Sequence, residues 1–206
     1  MKDIRTVVFD FGGVLIDLDM PETIRQVEEL GVPAFDKMLV NHYVCHGFLG
    51  EFEKGEVSPG EFRSKIRDLA SKPHLSDDAI DKAWCAMLTH VPAYKLDLLL
   101  ELNKKYRVFM LSNTNKIHID YSLRKCFYND GHKLSDYFEK CFLSNEMGLS
   151  KPDPTIFKMF LSETGVSPEQ TLYIDDAIKN VEAASSLGFK ARLYVPGEDL
   201  RKFFSA

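Results

Sequence analysis

Five polar residues of the sequence are of types that could act together on a phosphate group. Asp10, Ser112 and the pair Asp175-Asp176 each follow directly on an apolar run, and Lys151 lies in a short loop just before a proline. Three carboxylates that converge repel one another unless a cation lies between them, and Mg²⁺ prefers hard oxygen ligands. A lysine and a hydroxyl group beside that cation could bind a phosphate dianion. These residue types therefore predict a site that holds Mg²⁺ and a phosphoryl group side by side.

Each of these residues also has an ordinary structural explanation when taken alone. Asp10 precedes two glycines and could be a turn residue, and Ser112 could cap a helix. Lys151 could be a solvated surface charge, and Asp175-Asp176 could cap the next helix. The joint occurrence of mutually useful polar groups at separate strand ends favours a functional site over four unrelated structural roles.

The elements that would position these residues begin with a buried strand at residues 6–9. This run is β-branched and aromatic, and it ends abruptly in Asp10-Phe11-Gly12-Gly13. From there to about residue 94 the pattern is helical, with capping boxes that begin at Asp19 and Ser58. One strand is thus separated from the rest of its sheet by a long helical segment.

After Pro92 the pattern changes to alternating helices and strands, which is typical of a parallel sheet. Strands are predicted at residues 107–111, 140–143, 171–174 and 190–195. The predicted fold is α/β: a Rossmann-like parallel-sheet core formed by residues 1–16 and 95–206, with an all-helical cap at residues 17–94 inserted after the first strand. In such sheets ligands bind at the carboxyl ends of the strands, where the polar residues lie.

The composition excludes several classes of protein. The chain has 206 residues, of which 45% are hydrophobic and 28% charged, and its formal net charge is −5. This charge lacks the basic excess typical of nucleic-acid-binding proteins, and no apolar run approaches the roughly 18 residues of a membrane span. We expect a cytoplasmic protein with neither a nucleic-acid nor a membrane partner. The sequence does not indicate its oligomeric state.

A second, weaker metal-binding pattern is formed by His42, Cys45 and His46. Their region is predicted to be a helix or a helix end, and none of the four cysteines belongs to a CxxC pair. We therefore expect ordinary core or surface residues here, and free thiols in the chain.

Four segments of the chain resemble the four ordered motifs of the haloacid dehalogenase superfamily. They are residues 7–14, 110–115, 151–152 and 172–176. The match spans the chain and is most similar to members with a small helical cap, such as bacterial sugar-phosphate phosphatases that act on glucose 1-phosphate and the phosphatase domain of soluble epoxide hydrolase. The resemblance implies a Mg²⁺-dependent phosphatase that hydrolyses a small phosphorylated metabolite, with a sugar phosphate favoured, through an aspartyl-phosphate intermediate.

The resemblance also implies a role for each residue of the reaction. Asp10 is expected to be the nucleophile that attacks phosphorus. Ser112, Asn113 and the N–H groups at the start of the following helix are expected to bind the phosphoryl oxygens. Lys151 is expected to neutralise Asp10 and the phosphate as a compact point charge.

The same resemblance implies a set of metal ligands. Mg²⁺ is expected to bind to Asp10, to the backbone carbonyl of Gly12 and to Asp176. Asp175 is expected to lie next to these ligands, one layer further from the ion. The choice of Asp176 rather than Asp175 as the metal ligand follows from aligning residues 174–177 with the Gly-Asp pair usual in the family.

One residue departs from the family pattern. In most phosphatases of the superfamily the residue two positions after the nucleophile is a second aspartate, which acts as general acid and base, and here it is Gly12. We consider Asp17, Asp19 or His118 as replacement acids.

This departure leaves two alternative functions open. One is a carbon–halogen hydrolase, because such members also lack the second aspartate, although they need no metal and hence no paired acids like Asp175-Asp176. The other is a non-catalytic phosphate-binding protein. Phe48, Phe52 and Trp84 could line a substrate pocket, but aromatic residues at helical spacing more often form a core.

Overall fold

The computed structural model describes residues 3–41, 44–45, 47–127 and 131–204. In chain order the strands are β1 (Thr6–Phe9), β2 (Leu39–Asn41), β3 (Val44–Cys45), β4 (Arg107–Ser112), β5 (Lys140–Leu143), β6 (Thr171–Asp175) and β7 (Lys190–Leu193). The α-helices are α1 (Met20–Glu29), α2 (Phe48–Glu53), α3 (Pro59–Ala70), α4 (Asp77–Trp84), α5 (Ala93–Asn103), α6 (Lys116–Cys126), α7 (Leu134–Tyr137), α8 (Ser144–Met147), α9 (Pro154–Thr164) and α10 (Ile178–Ser186). Short 3₁₀ turns lie at Phe35–Met38, Cys85–Met87, Pro168–Gln170 and Leu200–Phe203.

Five parallel strands form the main sheet, in the order β5-β4-β1-β6-β7. The N-terminal strand β1 lies in the centre, where Phe9 is paired with Met110 of β4 and with Ile174 of β6. All four residues of β1 are buried, as expected for a parallel strand that has helices on both faces. The predicted α/β Rossmann-like core with an insertion after its first strand is confirmed.

Alternate residues of β1 belong to two hydrophobic clusters. Val7 and Phe9 pack in the larger cluster, which continues into the insertion. Val8 packs in the smaller cluster, against α9 and α10. Because successive side chains of a strand point to opposite faces, β1 joins the two layers of the core. Its end places Asp10 at the carboxyl edge of the sheet.

The insertion has an aromatic centre. Phe52 of α2 stacks on Phe62 of α3, with ring centroids 4.5 Å apart, and Phe62 also packs against Trp84. The predicted capping box at Ser58 is present, with Glu61 as its partner. At the start of α1 the Asp19 side chain accepts a hydrogen bond from a backbone N–H one turn later.

The expectation of an all-helical insertion needs one correction. Strands β2 and β3 pair as a short antiparallel ribbon within it, and Cys45 lies on β3 rather than on a helix. Two strands of two or three residues are too short for a period of two to be visible in the sequence. His42 and His46, of the weaker metal-binding pattern, lie outside the described residues.

The insertion leaves and rejoins the core through an antiparallel contact. Leu18 and Leu88 form an isolated bridge, and the N–H group of Asp19 donates to the carbonyl oxygen of Met87 at 2.8 Å. Beside this contact the buried Lys95 donates from Nζ to the carbonyl oxygen of Val14, 2.7 Å away. The domain boundaries predicted at residues 16/17 and 94/95 fall next to the contact and remain a prediction.

Three cysteines are free thiols, as expected for those positions: Cys85, Cys126 and Cys141. Among the helices of the described residues, none combines the length and the apolar character that crossing a membrane requires.

Candidate active site

Three carboxylates converge at the carboxyl edge of the sheet. Asp10 directly follows β1, Asp175 ends the neighbouring strand β6, and Asp176 comes next in the chain. One carboxylate oxygen of each lies within 4.8 Å of the others. The pairing of β1 with β6 therefore brings together the acids that the sequence placed at separate strand ends.

Lys151 lies between two of these acids and is almost completely buried, with 2% of its surface exposed. Its Nζ is 2.9 Å from Oδ1 of Asp10 and 2.7 Å from Oδ2 of Asp175, and it also donates to the carbonyl oxygen of Leu111 at 2.9 Å. Burial opposes its charge, but the attraction of the two carboxylates outweighs that effect and raises the pKa of Lys151. Lys151 is therefore a fixed cation in the site and not a surface charge.

Asn113 holds the backbone of Lys151. Its Nδ2 donates to the Lys151 carbonyl oxygen at 2.9 Å, and its Oδ1 accepts from the Lys151 N–H at 2.8 Å. Asn113 also lines the cavity described below, so its role as a phosphate ligand stays a prediction. Its side-chain amide has a positioning function that the sequence analysis did not anticipate.

Asp175 is fully buried, and both of its oxygens are engaged by the protein. Oδ1 accepts from the Ala177 N–H at 2.8 Å and from Asn180 Nδ2 at 3.0 Å. Oδ2 accepts from Lys151 and from the hydroxyl group of Tyr173. This saturation favours a supporting position behind the metal ligands over direct coordination.

Tyr173 and Asn180 were missed by the sequence analysis. Tyr173 lies two residues before Asp175 on the same strand, so both side chains share one face of the sheet. Asn180 lies in the first turn of α10. The period of two was a usable signal for Tyr173, whereas an asparagine near a helix start is too common to be informative.

Asp176 lies directly against Gly13. A Cβ atom on Gly13 would be 2.0 Å from Oδ2 of Asp176, and the φ angle of Gly13 is +73°. A side chain at residue 13 would therefore displace the carboxylate and strain the backbone.

The electrostatics of the site disfavour three charged carboxylates with neither a proton nor a cation among them. Burial raises the pKa of Asp176 to about 7, with further increases from the charges of Asp10 and Asp175. Burial also raises the pKa of Asp10 to about 6, against the opposing attraction of Lys151. The cluster thus binds protons or a cation more readily than ordinary surface aspartates do.

Ser112 is buried at the end of β4 and faces the same cavity as Asp10 and Lys151. Helix α6 begins four residues later, with Asn115 as its N-cap. The cavity has a volume of about 110 Å³, which suits a small ligand. Its wall on the core side includes Asp10, Gly12, Ser112, Asn113, Thr114, Lys151, Asp176 and Asn180, and its wall on the insertion side includes Leu18, Met20, Leu39, Glu53, Trp84, Met87 and Leu88.

Residues 4–188 match the family described as haloacid dehalogenase-like hydrolase. The chain belongs to this family. It is also 35% identical over 199 residues to D-ribitol-5-phosphate phosphatase of Bacteroides thetaiotaomicron, an alignment that covers 97% of this chain and 96% of that protein. The predicted superfamily is confirmed.

Two solved structures of HAD-like hydrolases superpose on nearly the whole chain. A HAD family enzyme of Bacteroides thetaiotaomicron, in complex with magnesium and inorganic phosphate, has a TM-score of 0.92 and 39% identity, and the match covers 98% of this chain and 100% of that one. A predicted HAD-like family hydrolase of Porphyromonas gingivalis has a TM-score of 0.89 and 35% identity, with coverage of 98% and 96%. The fold agrees with that of both enzymes.

In this HAD-like hydrolase, His118 has a structural role, although it lines the cavity. Its Nε2 is 2.9 Å from the carbonyl oxygen of Trp84, a contact that requires a proton on Nε2, and its Nδ1 contacts Asn115 Nδ2 at 3.1 Å. Burial lowers the pKa of His118 to about 4, so the ring is neutral at pH 7. Trp84 stacks on this ring and lines the cavity, whereas Phe52 packs in the insertion core.

The other two residues considered as replacement acids also have contacts of their own. Asp17 lies 3.3 Å from Nζ of Lys95, beside the junction with the insertion. Asp19 caps α1. Neither residue lines the cavity.

Gly12 can accept a Cβ atom if the Leu18 side chain moves slightly. A Cβ atom there would lie 3.2 Å from Cδ1 of Leu18, and its backbone is outside the left-handed region. The end of a leucine side chain can move by a few tenths of an ångström, so the fold itself does not require glycine at this position.

Proposed function

We propose that this HAD-like hydrolase is a Mg²⁺-dependent phosphatase that hydrolyses a small phosphorylated metabolite, with a phosphorylated sugar or sugar alcohol as the favoured class. The observation that carries the proposal is the buried Lys151 ammonium between Asp10 and Asp175, with Asp176 beside them. The relative of equal length that acts on D-ribitol 5-phosphate supports it, as does the superposed enzyme with bound magnesium and phosphate.

Asp10 is the nucleophile in this proposal. The Phe11 N–H at 2.7 Å and the Lys151 Nζ both bind its Oδ1, which fixes the orientation of the carboxylate. A carboxylate oxygen of Asp10 forms a bond to phosphorus while the bond from phosphorus to the leaving oxygen breaks, and the leaving oxygen takes up a proton from water. A water molecule then forms a bond to phosphorus while the bond from phosphorus to Asp10 breaks, which releases inorganic phosphate and the Asp10 carboxylate.

The acidic cluster fits Mg²⁺. Three carboxylate oxygens lie within 4.8 Å of one another, and this geometry, together with the raised pKa values of Asp10 and Asp176, supports a cation among them. Asp10, Asp176 and the Gly12 carbonyl group would hold the ion, with Asp175 supporting Lys151 behind them. When bound, Mg²⁺ offsets the repulsion between these carboxylates and the phosphate dianion.

Ser112, Asn113 and Lys151 are the phosphate-binding residues of the proposal. Ser112 and Asn113 come from the end of β4, and Lys151 is the buried cation beside the nucleophile. The start of α6 adds N–H groups that favour an anion. The cytoplasmic location and the lack of nucleic-acid and membrane partners remain predictions from the sequence.

The direct test is release of phosphate from p-nitrophenyl phosphate and from D-ribitol 5-phosphate, with Mg²⁺ and with EDTA. We expect hydrolysis that EDTA abolishes and added Mg²⁺ restores. Purified protein that releases no phosphate under any of these conditions would contradict the proposal, and metal-independent halide release from a 2-haloacid would support the carbon–halogen hydrolase instead.

A further inference from the structure

The hydroxyl group of Ser144 lies where three parts of the fold meet. Ser144 is the first residue of α8, directly after β5, and it is completely buried. Its Oγ accepts a hydrogen bond from the N–H group of Thr114 at 2.9 Å, and it lies 2.6 Å from the carbonyl oxygen of Glu53 at the end of α2. One buried side chain therefore contacts both the core loop after β4 and the insertion.

On the core side, Ser144 continues the pairing of β4 with β5. The last pair of residues in these strands is Ser112 with Leu143, so the backbone pairing ends where the loop begins. Beyond it, the Ser144 hydroxyl group is the partner of the Thr114 N–H group. Thr114 lines the active-site cavity and directly follows Ser112 and Asn113, which bind phosphate in the proposed function. Ser144 thus fixes the loop that carries those two residues.

On the insertion side, a glycine permits the contact with Ser144. Gly55 lies two residues after Glu53 and has a φ angle of +72°. A Cβ atom on Gly55 would lie 2.1 Å from the carbonyl oxygen of Asn145, the neighbour of Ser144. The turn at the end of α2 can therefore approach α8 this closely only because residue 55 has no side chain.

The Ser144 hydroxyl group has one proton and two acceptors for it. The carbonyl oxygen of Glu53 is 2.6 Å from Oγ, and that of Thr114 is 2.9 Å away. Donation to Glu53 makes Oγ a stronger acceptor for the Thr114 N–H group, because hydrogen bonds in a chain polarise one another. If the Glu53 oxygen moves away, the proton can turn to Thr114. The contact can therefore form and break without leaving a buried hydroxyl proton unpaired.

We propose that Ser144 is a positioning residue through which the docked insertion, with its Glu53 carbonyl oxygen against Ser144, orders the phosphate-binding loop and strengthens phosphate binding. This inference rests on the proposed phosphatase activity. Ser144 is not among the residues that line the described cavity, so it acts through Thr114. Because such coupling is reciprocal, bound phosphate also favours the docked position of the insertion.

The test measures the affinity for inorganic phosphate by isothermal titration calorimetry in the presence of Mg²⁺, which requires no turnover. Ser144→Ala removes the partner of the Thr114 N–H group and should weaken phosphate binding by about fivefold or more. Gly55→Ala leaves every core residue unchanged but forces the end of α2 away from α8. It should also weaken phosphate binding, by about threefold or more.

A double variant and a matched control separate coupling from independent damage. If residue 55 acts through the Ser144 hydroxyl group, Gly55→Ala should add almost nothing once Ser144 is replaced by alanine. Gly165→Ala is the control, because Gly165 has a φ angle of +65° and an added Cβ atom would meet no described atom within 4 Å. It introduces similar backbone strain without the contact and should bind phosphate like the wild-type protein.

The outcomes distinguish this inference from the proposed function. Equal phosphate affinity in Gly55→Ala and Gly165→Ala would overturn the inference, and this comparison decides the matter even if Ser144→Ala does not fold by circular dichroism. A double variant whose loss of affinity equals the product of the two single losses would overturn it as well. Wild-type protein that binds phosphate with the expected coupling but hydrolyses no phosphate ester overturns the proposed function alone. Wild-type protein that binds no phosphate overturns both.

Discussion

The two walls of the active-site cavity differ in the chemical character of their lining residues. On the core side, charged groups cluster at the carboxyl edge of the sheet, and Asp175 accepts hydrogen bonds from Lys151, Tyr173 and Asn180. On the insertion side the described wall is apolar apart from Glu53. In the proposed phosphatase, this difference favours a reaction on the core wall and selection of the substrate at the insertion wall. Substitutions in the core wall should therefore abolish hydrolysis. Substitutions in the insertion wall should change which substrates the protein prefers.

The largest expected effect is at the nucleophile. Asp10→Asn should lower turnover by at least about 10³-fold, because it removes the covalent route itself. Release of phosphate from p-nitrophenyl phosphate measures the loss, and circular dichroism should show an unchanged fold.

The control for this variant is Asp97→Asn, an exposed aspartate of α5 far along the chain from the acid cluster. It should retain wild-type activity. A rate for Asp10→Asn of more than a few per cent of wild type, in a preparation free of contaminating phosphatase, would refute the assignment of Asp10.

Lys151 should give the next largest effect. Lys151→Ala removes the cation that lies 2.9 Å from Asp10 in a buried site, so kcat/KM should fall by several powers of ten. Lys151→Arg should restore little activity, because a planar guanidinium cannot take the place of a compact ammonium. The matched variant Lys158→Ala, at an exposed position of α9, should change kcat/KM by less than about twofold. Near-normal kinetics for Lys151→Ala would place the lysine outside the reaction.

The third prediction concerns the acid that Gly12 cannot supply. A positioned general acid contributes roughly 10²- to 10⁴-fold by protonating the leaving oxygen. Without it, kcat/KM of the wild-type protein should fall steeply as the pKa of the leaving group rises, in a series of phosphate esters of similar size. Gly12→Asp should flatten this plot by accelerating the poor leaving groups.

The backbone of Gly12 is outside the left-handed region, and the contact of a Cβ atom there is with the end of the Leu18 side chain, so Gly12→Asp is a reasonable variant to make. Gly12→Asn has the same size without the acid and should keep the steep slope. A flat plot for the wild-type protein would mean that another group donates the proton.

The smallest expected effect is on thermal stability. The pKa values of Asp10 and Asp176 are raised to about 6 and about 7, so the folded protein binds more protons than the unfolded chain between about pH 4 and pH 7. These two groups therefore make the metal-free protein less stable as pH rises through that window. Mg²⁺ binds the deprotonated cluster, so it should raise Tm by a few degrees at pH 8 and by less at pH 5.

Asp176→Asn is the variant that tests the origin of this effect. It should reduce both the pH dependence of Tm and the increase caused by Mg²⁺, measured by calorimetry without substrate. An equal Mg²⁺ effect in wild type and variant would show that the ion binds elsewhere.

The sequence predicted the core wall well because its signals are local. A buried apolar run that stops at an aspartate identifies both a strand and its end, and parallel pairing then brings Asp10 beside Asp175 without further information. The position of Ser112 at the end of β4 follows from the same rule, whereas Lys151 lies in the loop beyond the short helix α8. The supporting contacts of Asn180 required knowledge of how a helix start packs over its strand, which no local pattern contains.

The insertion wall was harder to predict because tertiary packing decides it. The aromatic residues Phe52 and Trp84 have similar sequence patterns, yet only Trp84 reaches the cavity. The β2–β3 ribbon left no periodic signal, and Glu53 looks like an ordinary surface charge until Ser144 and Gly55 fix its place.

The contact through which the insertion leaves and rejoins the core has a consequence for protein engineering. Asp19 and Met87 are joined by a backbone hydrogen bond of 2.8 Å, so the chain departs and returns at the same point in space. The core therefore places almost no constraint on the length of the inserted segment. Loop closure costs only about 0.6 kcal/mol for each doubling of that length. A short turn, or a larger domain with a different recognition surface, could be spliced between these two residues without changing the order of strands in the sheet.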